Sequence, residues 1–137
     1  MSDKHQNPLI EGLQTVGLSI VLALGIRQFV AEARFIPSES MLPTLKVDDR
    51  LVIEKISYHF NPPKRGDIIV FRAPQEALDA AHSTTNDAYI KRVIGLPGET
   101  IEIKDGKVFV DGDALQEEYI QAPPVYTWGP NTVPEGE

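Results

Sequence analysis

Polar and apolar positions divide this chain into two regimes. Residues 12–26 form an uncharged run, GLQTVGLSIVLALGI, extended by Leu9 and Ile10 on one side and by Phe29 and Val30 on the other. Beyond residue 33 the apolar positions shorten into β-branched segments divided by Gly, Pro and Asp. Five such segments predict strands, at residues 51–55, 68–72, 89–94, 101–104 and 107–110. Asp105-Gly106 lies between the last two and predicts a type I′ hairpin, because Gly accepts positive φ without steric cost. Pro62-Pro63 and Lys64-Arg65-Gly66-Asp67 mark a break and a tight turn. Residues 73–88 are Ala-rich, polar and poorly patterned, and read as a surface insertion between strands. No βαβ alternation and no internal repeat is present, so the part after the long run reads as mainly β and antiparallel.

The uncharged run admits four readings. A spanning helix wants about 20 mostly apolar residues, which the run reaches only with its flanks. A cleaved signal peptide needs a basic amino end and a small-residue cleavage site. Here the amino end is MSDKHQNP, and no Ala-x-Ala follows. A buried core helix and an interfacial helix are the other two, the last weakened by a poor polar face. The preferred division is an amino-terminal segment at 1–11, a transmembrane helix at 12–32 and a β domain at 33–137. Lys4 precedes the span while Arg27 and Arg34 follow it, so charge alone assigns no orientation.

Composition narrows the chemistry. The chain is 42% hydrophobic and 24% charged, with a net charge of −7. All of that charge comes from residues 99–137, which hold nine acids against Lys104 and Lys107. A surface of this kind speaks against nucleic acid as a partner, since such binding needs clustered Lys and Arg. There is no cysteine, which excludes disulfides, thiolate nucleophiles and Cys-based zinc sites. The three histidines, His5, His59 and His82, are isolated, so nothing points to a metal or a cofactor.

Two segments carry candidate chemistry. In Phe35-Ile36-Pro37-Ser38-Glu39-Ser40-Met41-Leu42-Pro43-Thr44, two prolines restrict the backbone around a pair of serines. Taken alone, Ser-x-Ser is an ordinary turn or cap pattern. In Tyr89-Ile90-Lys91-Arg92-Val93-Ile94-Gly95-Leu96-Pro97-Gly98, a strand would put Lys91 on one face with Tyr89 and Val93, and Arg92 on the other. A lysine serves as a general base only where its surroundings disfavour the ammonium. An exposed edge-strand lysine is the ordinary alternative.

Together the segments resemble type I signal peptidases of the bacterial type. Pro37-Ser38-Glu39-Ser40-Met41-Leu42-Pro43-Thr44 resembles the family's nucleophile box, and residues 89–98 resemble its lysine box. Arg65-Gly66-Asp67-Ile68-Ile69-Val70-Phe71 resembles a third family segment between them. The resemblance implies an antiparallel β catalytic domain of the kind shared with SOS-repressor peptidases, behind a single membrane anchor. It implies catalysis by Ser40 as nucleophile and Lys91 as base, with the Ser40 N–H and the Ser38 hydroxyl as oxyanion donors. It also implies that a preprotein signal peptide, with small residues at −1 and −3, binds as an extended strand. Phe35, Ile36 and Pro37 on one side, and Tyr89 and Ile90 on the other, are then substrate-binding candidates; Phe35, Ile36 and Ile90 are the pocket candidates among them, with core packing an equal alternative for each of those three. The implied location is the bacterial inner membrane, single-pass, in contact with lipid, with the catalytic domain on the outer side.

Two departures from the family pattern qualify this. Glu39 stands where glycine is commonest, with its side chain expected toward solvent. A further family box, Gly-Asp-Asn-Arg followed by Ser-x-Asp-Ser, would begin about where the sequence stops. The expectation is therefore an incomplete catalytic domain, a fragment of a longer enzyme with little or no activity alone. The competing readings are a non-catalytic membrane-tethered β module and an SOS-type Ser/Lys autoprotease. The latter would need a helix-turn-helix where residues 1–33 offer an apolar run.

Overall fold

In the computed structural model, residues 7–82 and 88–137 are described. They fall into two compact units: Met1–Arg34 with Arg50–Asn61, and Phe35–Asp49 with Pro62–Glu137.

The first unit opens with helix α1, Pro8–Phe29. Asn7 caps it by accepting from the Leu9 N–H at 3.0 Å, and Pro8 takes the first turn, where its missing N–H costs nothing. These signals start the helix before the expected boundary at residue 12. At the other end the Lys55 ammonium donates to the Arg27 carbonyl at 2.6 Å, meeting an acceptor the helix leaves orphaned. The same ammonium pairs with Glu32 at 3.1 Å. Helical structure therefore stops at Phe29, and residues 31 and 32, expected in the span, belong to strand β1, Ala31–Phe35. β1 pairs with β2, Arg50–Glu54, in which Leu51 and Ile53 alternate with exposed neighbours. No side chain of α1 is buried, although the helix is apolar all round.

The second unit holds every buried apolar residue among those described: Ile36, Met41, Leu45, Ala73, Leu78, Ile101 and Val110. Strands β3, Ile68–Arg72, and β4, Ala88–Arg92, pair antiparallel with Ile69 opposite Lys91. The Gly66 N–H donates to Val93 O at 2.7 Å and the Val93 N–H to Asp67 O at 2.8 Å, which continues this ladder past the strand ends. Residues 73–88 depart from the expected plain insertion. They contain a short helix, α2, Gln75–Ala80, whose Leu78 is buried in the core. Residues 83–87 of that stretch lie outside the described residues.

A four-stranded antiparallel sheet in the order β7-β6-β5-β8 completes the unit. Its centre is the expected hairpin of β5, Thr100–Lys104, and β6, Lys107–Val110. Asp105 and Gly106 turn it with φ of 51° and 74°, both positive as a type I′ turn requires. Strands β7, Asp113–Ala114, and β8, Trp128–Thr132, lie at the two edges and were not expected from the sequence. β8 holds Pro130, which is tolerated at an edge because no second neighbour needs its N–H. Gly129 in the same strand has φ +82°, and a Cβ there would sit 2.6 Å from the Ile101 carbonyl oxygen. Only glycine fits that approach.

Candidate active site

The segment carrying the two serines is a loop closed at its base. The Ile36 N–H donates to Asp49 O at 2.9 Å, and the Asp48 N–H returns to Ile36 O at 2.8 Å. Within the loop, the Leu45 N–H reaches Met41 O at 2.9 Å, and both side chains are buried. Two apolar anchors one helical turn apart thus fix the turn, and Ser38, Glu39 and Ser40 stay exposed on its rim.

Lys91 comes from the middle of β4, where pairing with Ile69 on β3 fixes its direction. Its Nζ lies 2.5 Å from Ser40 Oγ, joining residues 51 apart in sequence. The ammonium position also lies 5.9 Å from the centre of the Tyr89 ring, on the face expected for alternate strand residues. Ser38 Oγ is 3.1 Å from Ser40 Oγ. Serine, serine and lysine therefore form one hydrogen-bonded chain.

Arg92 reaches the serine loop from the position next to Lys91. It donates to Gly66 O at 2.8 Å and to the Thr44 hydroxyl at 3.0 Å, and its guanidinium stacks 4.1 Å from the centre of the Tyr119 ring. Burial, and then a hydrogen bond to Glu117, push the Tyr119 phenol up to about 12, so it stays a neutral donor. The segment after β4 is held by Arg65, which grips Glu99 with two nitrogens at 2.8 and 2.7 Å and donates to Ile94 O at 2.9 Å. Glu99 also accepts from the Leu96 N–H at 2.7 Å. The Arg65 contact and this N–H hold the Glu99 carboxyl below its ordinary value.

The substrate-binding candidates are placed unequally. Phe35 is 64% exposed, Tyr89 and Ile90 are half-buried on β4, Pro37 is exposed, and Ile36 is 4% exposed within the core. Tyr89 packs edge-on to Phe71 with ring centres 6.2 Å apart. A groove of about 430 Å³ reaches Ser40 and is lined further by Leu42, Arg92, Tyr119, Ile120 and Ala122. Sequence reasoning missed Arg92, Thr44, Tyr119 and the Arg65–Glu99 pair. Thr44, Arg65 and Arg92 lie within the segments that resemble the family, but no local pattern shows these contacts, because each is made to a partner at least 26 positions away.

The chain matches the family model described as signal peptidase, peptidase S26, over residues 9–133. It is 66% identical over 131 residues to signal peptidase I of Leptolyngbya laminosa, covering 96% of this chain and 64% of that protein. It is 51% identical to probable signal peptidase I-2 of Synechocystis sp., over 96% of this chain and 59% of that one. To probable thylakoidal processing peptidase 2, chloroplastic, of Arabidopsis thaliana it is 37% identical, over 98% of this chain and 36% of that one. The chain spans less than two thirds of the length of each of these relatives. With most of its length matched, this chain belongs to the signal peptidase family, peptidase S26.

Proposed function

We propose that this chain is a membrane-anchored serine endopeptidase that removes signal peptides from exported preproteins through a Ser40–Lys91 dyad. The observation that carries this reading is the 2.5 Å approach of Lys91 Nζ to Ser40 Oγ in a family of signal peptidases. Lys91, as the neutral amine, takes the hydroxyl proton while Ser40 Oγ attacks the scissile carbonyl. The resulting ammonium returns that proton to the leaving amine, and the signal peptide remains as an ester on Ser40. A water molecule deprotonated by Lys91 then releases it. The Ser38 hydroxyl and the Ser40 N–H, which donates to no group among the described residues, are the oxyanion donors. One such donor contributes about 3–4 kcal/mol to the transition state.

The substrate adds as a strand along β4. Among the described residues that strand pairs only with β3, which leaves its other edge open to a further strand. Tyr89 and Ile90 then face the substrate from one side and Phe35, Ile36 and Pro37 from the other, forming pockets for small residues at −1 and −3. α1, about 33 Å long at 1.5 Å per residue, matches a hydrocarbon layer of about 30 Å. None of its residues is buried by the described residues, which supports lipid as its surroundings. The amino end is cytoplasmic and the β domain lies on the outer side of the bacterial inner membrane.

The test is preprotein cleavage in detergent, by the chain alone and by the chain joined to the part of the Leptolyngbya laminosa relative outside the match. Ser40→Ala and Lys91→Met in the joined protein abolish cleavage with the fold retained. Cleavage that survives either substitution refutes the dyad.

A further inference from the structure

The groove beside Ser40 has a lining that separates it from the signal-peptide side. It includes Ser40, Thr44, Arg92 and Tyr119, but none of Phe35, Ile36, Pro37, Tyr89 and Ile90. It thus approaches the nucleophile from a second direction, along the segment that follows β7. A peptide bond held at Ser40 has two sides. With the signal peptide along β4, the residues after the bond need another channel. We infer that this groove receives the first residues of the mature protein, and that Glu39 and Glu117 make it select against acidic side chains there. The inference rests on the peptidase reading above.

Charge and geometry favour this occupant. The groove has two carboxylates, Glu39 and Glu117, against the single guanidinium of Arg92. That guanidinium is already engaged by Thr44, Gly66 and the Tyr119 ring, so it is poorly placed to welcome an acidic substrate residue. Cleavage leaves a new amino terminus beside Ser40, and as an ammonium it complements the carboxylates. Apolar walls from Leu42 and Ile120 suit the stem of a long basic side chain. Glu39 belongs to the loop that carries the nucleophile, which puts this selectivity within two residues of the chemistry.

Binding tests the inference without any bond being broken. The 137-residue chain in detergent micelles is titrated, by backbone amide NMR, with Ala-Lys-Ala-Ala amide and with Ala-Glu-Ala-Ala amide, both with free amino ends. The lysine peptide should shift amides in residues 40–44 and 117–122 and bind about five-fold more tightly, as expected for exposed charges a few ångströms apart. Glu39→Gln with Glu117→Gln should bring the two affinities together. Equal binding of both peptides, no binding at millimolar concentration, or shifts confined to residues 35–37 and 89–90 would overturn the inference. None of these outcomes bears on whether Ser40 cleaves, so the peptidase reading stands or falls separately by the Ser40→Ala result.

Discussion

Arg92 Nη2 donates to the Thr44 hydroxyl at 3.0 Å, tying β4 to the loop that carries Ser40. Ser40 and Lys91 are on separate segments, so this tie fixes the distance between them from one side. Its second anchor, Gly66 O, fixes Arg92 to the turn that precedes β3. Arg92→Met should lower the kcat of the joined protein about 10–100-fold, as misplacement by a fraction of an ångström to an ångström does, while KM changes less. Arg92→Lys should recover little, because one ammonium cannot reproduce two donors in a planar fork. Equal loss in KM and kcat, or full recovery with lysine, would show that the tie does not position the dyad.

Glu99 makes the second unit sensitive to acid. Its carboxyl is held below its ordinary value of 4.5 by the Arg65 contact and then by the Leu96 N–H. A carboxylate whose pKa falls on folding contributes stability that is complete above its unfolded value and lost as pH falls through the folded one. Glu99→Gln should therefore lower the thermal midpoint by a few degrees at neutral pH. The gap between variant and wild type should close progressively below pH 4.5. Circular dichroism melts across that range measure both, and a gap that persists in acid would contradict the assignment.

Gly129 and Gly112 provide a controlled comparison. Both have positive φ, +82° and +87°, but a Cβ at Gly112 meets nothing within 4 Å while one at Gly129 meets the Ile101 carbonyl oxygen at 2.6 Å. Gly112→Ala should cost about 1–2 kcal/mol, the strain of a left-handed alanine. Gly129→Ala should cost about 1–3 kcal/mol more, because backbone on the neighbouring strand has to shift. Denaturant titration of each variant gives the difference. Equal costs would mean that β8 does not pack as closely on β5 as the distance indicates.

How much of this was legible in the sequence varied with how local the cause was. The β5–β6 hairpin was legible because Asp105-Gly106 fixes its turn by backbone preference alone. β8 was not, since Trp128-Gly129-Pro130-Asn131-Thr132 has the composition of a loop and becomes a strand only through pairing with β5. α2 was hidden because one buried leucine, Leu78, gives no periodicity to count. The end of α1 falls three residues before the expected 32, where a lysine ammonium just after β2, 26 positions beyond Phe29, meets the helix end. Ser40 and Lys91 were singled out through resemblance to a family. Nothing in their spacing brings together residues 51 apart, which is the work of the β3–β4 register and the closed base of the serine loop.

The account stands on Ser40 being a nucleophile that Lys91 activates. The most direct measurement is covalent labelling of the joined protein with a short signal-peptide analogue ending in a phosphonate ester electrophile, located by peptide mass mapping. The account predicts one label per chain, on Ser40, formed in the wild type and lost in Lys91→Met and Ser40→Ala. Labelling of Ser38 or another residue instead, or undiminished labelling of Ser40 in Lys91→Met, would contradict it.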